Sequence, residues 1–259
     1  MNSLKNKAIV IIGGTSGMGL SASRACIAAG AKVIATGIGE STESAKSVLG
    51  DNAIVLHADA TDSNAADKAI AFALEAFGGF DGLYHVAGGS GRRFGDAQLG
   101  KATDEGIEKT LNLNLTSVLY SNRAALRVFQ NKNLRGSIVN LTSVLAASPS
   151  PEYFSTSVYA TAKAGIIGLT KNLAANYATS NIRANAIAAG LIDTPMSARA
   201  QEQDTIMDFI KEKQPLDGGR IGIPKDLDAL VVYLLSDESR FVTGQVINVD
   251  GGWSVSDGC

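Results

Sequence analysis

The chain is poor in cysteine, with two in 259 residues, Cys26 and Cys259. They lie far apart with no paired spacing, so neither a disulfide framework nor a zinc site is suggested, and no metal site is expected. Cys26 reads as a core thiol in an apolar helix, Cys259 as a mobile terminal residue. Basic blocks are also missing. Lys and Arg number 23 against 25 Asp and Glu, a formal charge of −2, so binding to nucleic acid or an anionic membrane has no electrostatic support. Long apolar runs are absent too. The opening "MNSLKNKAIVIIGG" holds one apolar run that ends in glycines after five residues; it is too short for a signal peptide, and no later run approaches a membrane span. A cytoplasmic location is expected. No repeat, low-complexity stretch or Pro/Gly/Ser linker divides the chain, so residues 1–259 read as a single domain. A hydrophobic content of 45% suffices for one sizeable core.

What is present is a regular alternation. Short apolar runs at 8–12, 32–36, 53–59, 82–87, 136–143, 182–190 and 245–252 read as strands, and fully apolar runs such as "AIVII" suit strands buried on both faces. Helical patterns lie between them: from the first glycine turn to about Ala29, then 62–77, 103–130 and 158–178. In the last, Ala162, Ile166, Leu169 and Leu173 make one helical stripe. Repeated β-then-α units predict an α/β fold: a doubly wound, Rossmann-like parallel sheet of about seven strands with helices on both faces. Ligands in such a sheet sit beyond the carboxyl ends of the strands.

Two motifs carry chemistry. "IIGGTSGMGLS" sets Gly13, Gly17 and Gly19 between the first strand and first helix. There a tight turn and close backbone approach let a pyrophosphate meet the free N–H groups of a helix start. Thr15, Ser16 and Met18 belong to the same turn. The second motif, "SVYATAKAGI", puts Tyr159 four residues before Lys163, on one helix face. A phenol titrates near 10 and is a poor base at neutral pH, but a nearby ammonium favours the phenolate. The pair is therefore expected to have a lowered tyrosine pKa and to exchange a proton with a carbonyl or alcohol oxygen.

The glycine spacing, "LNLNLTS", "IVNLTS", Tyr159 with Lys163, and "VTGQVINVDGG" occur in one order along the chain. In this the chain resembles the short-chain dehydrogenase/reductase family in its single-domain form, from about residue 5 to 254. The resemblance implies that Tyr159 is the catalytic acid/base. Lys163 would tune it and hold the nicotinamide ribose. Ser143 would polarise the substrate oxygen, and Asn114 (with Asn112 as the competing choice) would hold a water in a proton relay. It further implies an adenine contact at Asp59 beside Ala60, close cofactor approach at Ala87 and Gly88, and a carboxamide contact at Thr194 in a loop with Gly190 and Ile192. A homodimer or homotetramer built on helix 158–178 is implied as well. That helix has apolar residues pointing several ways: Ala164, Ile167, Leu169 and Ala174.

The chain departs from the family pattern in places. His85 and Val86 replace two asparagines, and His85 reads as a pocket-wall or structural residue. Ala189–Gly190 stands for Pro-Gly, which would loosen the loop over the nicotinamide. The segment from Ser143 to Tyr159 is longer than usual, so "LAASPSPEYFSTS" should bulge over the site mouth. Within it Tyr153 rivals Tyr159 and Ser148 rivals Ser143, without the matching context.

At the end of the second strand Gly37 holds the position of the usual acidic residue that binds a ribose 2′-hydroxyl. Ile38 follows where relatives that use NADP often have arginine. Hydroxyls at Thr15, Ser16, Ser41 and Thr42 remain to meet a phosphate, which leans the reading from NAD toward NADP with poor discrimination. Gly37→Asp is expected to shift preference toward NAD. Segment 195–218 is expected to form a helical substrate lid. It has no cluster of arginines, so a neutral or weakly polar substrate is favoured. The leading function is an NAD(P)(H)-dependent oxidoreductase of a small carbonyl or secondary alcohol. The alternative is a dinucleotide-binding regulator without turnover, for which a proton relay would be superfluous.

Overall fold

A computed structural model describes residues 3–257. Seven parallel strands form one sheet in the order β3-β2-β1-β4-β5-β6-β7. They are β1 Ala8–Ile12, β2 Lys32–Gly37, β3 Ala53–His57, β4 Gly82–His85, β5 Gly136–Ser143, β6 Ile182–Ala189 and β7 Val246–Val249. The helices are α1 Gly17–Ala28, α2 Ser41–Leu49, α3 Ala65–Phe77, α4 Asp104–Leu111, α5 Ser117–Asn131, α6 Ser157–Tyr177, α7 Ala198–Gln201, α8 Asp204–Lys213 and α9 Lys225–Leu235.

The expected doubly wound sheet is what forms, with shorter strand ends than the apolar runs suggested. β3 stops at His57, two residues before Asp59, and β7 is only four residues long. The predicted helix 103–130 is two helices, joined by a π-helical turn at Asn112–Thr116. Helices α2 and α9 were not foreseen: α2 is short and rich in Ser and Thr, and α9 carries Lys225, Asp226 and Asp228 in its first turn ahead of an apolar run.

Strand alternation explains the two-sided core. Along β1, Ile9 and Ile11 face the layer of α1 and α9, whereas Val10 and Ile12 face the layer of α3 and α5. Both faces are covered, so every residue of β1 is buried, and truncating one such isoleucine to alanine costs about 2–5 kcal/mol. Cys26 sits in the first layer, and burial pushes its thiol up to about 12. It is the inert core thiol expected; Cys259 lies outside the described residues.

The order in which strands are added reverses at β1, whose Ile12 pairs in parallel with Thr36 of β2 on one side and His85 of β4 on the other. That switch point opens a cleft at the carboxyl ends of the strands. Over it sits a third apolar cluster of Val144, Ala200, Ile206, Ile210 and Trp253, which ties the predicted lid segment to the chain terminus. Among the described residues no helix is long and apolar enough to cross a membrane.

Candidate active site

The first part of the cleft is built by the turn after β1. Gly13 has φ +89° and Gly17 has φ +47°, the left-handed region that glycine enters without strain. A Cβ at Gly13 would stand 2.6 Å from the Ala87 nitrogen, and one at Gly19 would stand 1.9 Å from the Gly13 oxygen. Only hydrogen fits at either position, so the backbone stays bare toward the cleft. Helix α1 starts here, and Ser16 at its cap makes no side-chain hydrogen bond, leaving its first N–H groups as donors. Gly13, Thr15, Ser16, Gly17, Met18, Gly19 and Gly37 all line this cleft. So do Asp59, Ala60, Ala87, Gly88 and Thr194.

Asp59 is held outside β3 by its own turn. Its Oδ1 accepts from the Thr61 N–H and hydroxyl, both at 2.8 Å. Ser41, one of the hydroxyls expected to face a phosphate, lines the same wall, as do Ile38 and Arg93, the last not foreseen.

The second part of the cleft shares Met18, Gly88 and Thr194 with the first, and adds Ser143, Tyr159, Lys163, Gly190 and Ile192. Three elements converge on its floor. Ser143 ends β5. Its Oγ accepts from the Leu145 N–H at 3.2 Å, and Tyr159 lines the same floor. Thr142 next to it donates to the Lys163 carbonyl at 2.7 Å, locking α6 against β5. Tyr159 and Lys163 share a face of α6 as their spacing requires, with Nζ 5.6 Å from the ring centroid. Lys163 is buried, and its Nζ donates to the Leu141 carbonyl at 2.9 Å. The N-terminus of α6 is capped from afar: Asp96, itself buried, accepts from the Val158 and Tyr159 N–H groups at 3.0 and 2.9 Å.

The electrostatics correct one expectation. Burial raises the Tyr159 pKa above its usual value, with the Ser143 hydrogen bond opposing. The expected lowering by Lys163 does not prevail, because burial also brings the lysine itself down to about 8. Desolvation therefore dominates both members of the pair.

Asn114 lies behind the floor rather than in it. Its Oδ1 accepts from Gly89 N–H, and its Nδ2 donates to the carbonyls of Gly89 and Thr110, all at 3.0 Å. Held in the π-helical turn, it clips that turn to the loop after β4; Asn112, the competing choice, starts the same turn. His85 is structural. Its Nδ1 pairs with Ser121 Oγ at 2.7 Å, and burial, aided by the Lys163 charge, pulls its pKa down to about 3.

The loop after β6, where alanine stands for proline, is tied down by hydrogen bonds. Gln214 Oε1 accepts from Leu191 N–H at 2.6 Å, and Gly190 N–H donates to Val249 at 3.1 Å. Tyr153 packs against Phe209 at 4.9 Å instead of entering the cleft, and the Ser148 carbonyl accepts from Trp253 at 3.2 Å. Neither rival reaches the floor. The long segment does overhang the mouth as expected, with Phe154 and Thr156 among its walls. The lid segment contributes Met196, Ser197, Arg199 and Ala200.

Two more findings depart from the sequence reading. A Cβ at Gly37 would lie 1.8 Å from Thr15 Oγ1, itself 2.8 Å from Ser41 Oγ. The threonine side chain fills the place where an acidic side chain would stand, so Gly37→Asp alone does not fit. The arginine absent from the lid as a cluster is supplied across the fold. Arg92, from the loop after β4, and Arg199, from α7, both donate to the Tyr153 carbonyl, at 3.0 and 3.4 Å.

The cleft has the features a dinucleotide needs: a bare glycine backbone and an uncapped helix start at one end, and a hydroxyl, phenol and ammonium at the other. The comparisons agree. The chain matches the family model described as Enoyl-(Acyl carrier protein) reductase over residues 13–254. It is 34% identical over 257 residues to a 2-keto-3-deoxy-L-fuconate dehydrogenase of Xanthomonas campestris pv. campestris, covering 97% of this chain and 81% of that one. It is also 34% identical over 257 residues to a 3-oxoacyl-[acyl-carrier-protein] reductase of Thermotoga maritima, covering 96% and 98%, and 31% identical over 260 residues to a 3beta-hydroxysteroid dehydrogenase of Eggerthella lenta, covering 98% and 96%. The structure of a short-chain type dehydrogenase/reductase from Mycobacterium ulcerans superposes with a TM-score of 0.87 at 26% identity, covering 97% of this chain and 91% of that one. The fold, the ordered motifs and these relatives together place the chain in the short-chain dehydrogenase/reductase family.

Proposed function

We propose that this chain is an NAD(P)(H)-dependent oxidoreductase that interconverts a carbonyl and a secondary alcohol, with Tyr159 as the acid/base. The observation that carries the reading is the convergence of Ser143, Tyr159 and Lys163 at the floor of a cleft continuous with the glycine turn. The relatives' printed substrates differ: a sugar acid, an acyl thioester and a hydroxysteroid. Their shared part is a carbonyl/hydroxyl pair, which is what the floor is equipped to handle.

The roles follow from the geometry. Ser143 and Tyr159, lining the same floor, present two hydroxyls to one substrate oxygen. Burial keeps the Tyr159 phenol protonated at neutral pH, which suits donation of its proton as an alkoxide forms, the reductive direction. Lys163, fixed by the Leu141 carbonyl, holds a positive charge beside the ring and stabilises the phenolate left behind. Both N–H bonds of the Asn114 amide are engaged and its Oδ1 already accepts from Gly89, so a water-holding part in proton resupply would fall to its main chain.

Gly13, Ser16, Gly17, Met18 and Gly19 would hold the pyrophosphate, Asp59 and Ala60 the adenine, and Ala87 and Gly88 the inner ribose with Lys163. Thr194, with Gly190 and Ile192, would hold the carboxamide. A nicotinamide bound there supplies the hydride donor or acceptor. Thr15 and Ser41 offer hydroxyls and no carboxylate beside Gly37, which keeps the lean toward NADP.

The test is Tyr159→Phe. The variant removes one hydroxyl, so it should fold and bind cofactor as before while turnover falls by about three orders of magnitude or more. Initial rates with both reduced cofactors across ketones, sugars, steroids and acyl thioesters provide the assay. Near-normal turnover of the variant would remove Tyr159 from its role. Tight cofactor binding with no turnover of any carbonyl would favour the regulator instead.

A further inference from the structure

The wall of the cleft that faces the floor carries an unusual charge arrangement. Arg92, Lys163 and Arg199 line this part of the cleft, and no Asp or Glu does, although the chain as a whole has a formal charge of −2. Lys163 is accounted for by the floor. The two arginines are not. They come from separate elements and meet at one neutral acceptor, the Tyr153 carbonyl, at 3.0 and 3.4 Å. Neither makes an ion pair among the described residues. The carboxylate nearby is turned elsewhere: both oxygens of Asp96 are taken by N–H groups at the start of α6.

Two guanidinium groups sharing one carbonyl repel each other, and the Asp96 charge offsets this only in part. The Arg92 guanidinium is held below its ordinary range by burial first and by the Arg199 charge second, with Asp96 opposing. Each guanidinium offers five N–H donors in a rigid fork, and the carbonyl uses one from each, so most of that capacity is free for an anion. Apolar Leu145, Phe154 and Trp253 share this part of the cleft with the uncharged Thr156 and Ser197. The apolar part of that setting raises the strength of a charge-assisted contact.

We propose that Arg92 and Arg199 form a clamp for an anionic group, a carboxylate or phosphate, carried by the substrate at the end remote from the carbonyl or hydroxyl that reacts. This rests on the oxidoreductase reading of the same cleft and narrows its substrate class to small anionic carbonyl or hydroxy compounds. It replaces the neutral substrate expected from the lid segment alone. No arginine cluster is visible there because half of the clamp comes from the loop after β4.

The experiment has two arms on the full chain with cofactor present. In the first, malonate and inorganic phosphate are titrated by calorimetry into the wild type, Arg92→Gln, Arg199→Gln and Arg92→Lys. The wild type should bind at least one of them at millimolar concentration, and which one distinguishes carboxylate from phosphate. Arg92→Gln should weaken binding about tenfold, and the exposed Arg199→Gln about threefold, since exposed charges are screened. Arg92→Lys, which keeps the charge but loses the fork, should fall between wild type and Arg92→Gln.

In the second arm, oxo acids and sugar phosphates are compared with their methyl esters and dephosphorylated counterparts. The ratio of kcat/KM for the anion to that for the neutral partner should exceed one in the wild type. It should drop in the arginine variants, mainly through KM. Absence of anion binding by the wild type, or equal binding by all four proteins, would overturn the clamp, as would preferred turnover of the neutral partners with no arginine dependence. In that last case the oxidoreductase reading stands. Arginine-dependent anion binding without turnover of any carbonyl would instead sink the oxidoreductase reading and leave the anion site.

Discussion

Replacing Lys163 by methionine should make the protein more stable and inactive at once. The lysine is buried and titrates at about 8 against its ordinary 10.5. At about 1.36 kcal/mol for each pH unit, holding it charged in the folded state costs about 3 kcal/mol. Methionine has a similar length and no charge, so that cost disappears, while the hydrogen bond to the Leu141 carbonyl is lost with it, worth about 1 kcal/mol. The net expectation is a gain of about 2 kcal/mol at pH 7. The sign of the pH dependence is fixed by linkage. Between pH 8 and 10.5 the unfolded chain keeps the lysine proton and the folded chain releases it, so wild-type stability rises with pH across that window. The variant lacks this group, and its advantage should shrink as pH climbs from 8 to 10.5. Urea unfolding of both proteins at pH 7 and pH 10 reads this directly, with the slope checked for equality, and turnover measured on the same samples should be down by about two orders of magnitude. A variant less stable than wild type at pH 7, or an advantage that grows with pH, would refute the argument that desolvation governs this lysine.

Other expectations follow from the same geometry. Asp96→Ala removes the acceptor of two backbone N–H groups at the start of α6, so stability in urea should fall by about 2–4 kcal/mol, and kcat should drop more than cofactor affinity because Tyr159 loses its anchor; unchanged kcat would show that the cap does not position the phenol. Because a Cβ at Gly37 would meet Thr15, Gly37→Asp alone should weaken both cofactors. The double variant Thr15→Gly with Gly37→Asp should shift the NAD-to-NADP preference about tenfold toward NAD, and a shift of equal size in the single variant would disprove the steric reading. Helix α6 leaves Ala164 and Gly168 exposed on its outer face, small residues that permit close packing of a second copy; light scattering at micromolar concentration should report a dimer or tetramer, and a monomer would refute that packing.

The sequence by itself determined the layers and the order of the parts. Fully apolar strands alternating with helical stripes admit one economical arrangement, a parallel sheet covered on both faces, and β1 shows the reason in its Ile9/Val10 alternation between two cores. The glycine turn was legible because its constraint is local: Gly13 and Gly17 need positive φ whatever surrounds them. Tyr159 and Lys163 were legible because helix periodicity alone brings residues four apart together. Tertiary structure decided what depends on distant neighbours and on burial. Whether Lys163 lowers the tyrosine pKa turns on desolvation, and desolvation outweighs the charge. Asp96 caps α6 from 62 positions away in the chain, and Thr15 blocks Gly37. Arg92 and Arg199 meet only because the loop after β4 and helix α7 are folded over the same mouth. No spacing along the chain encodes such a meeting, since it is set by where two loops land on a sheet whose geometry the core has already fixed.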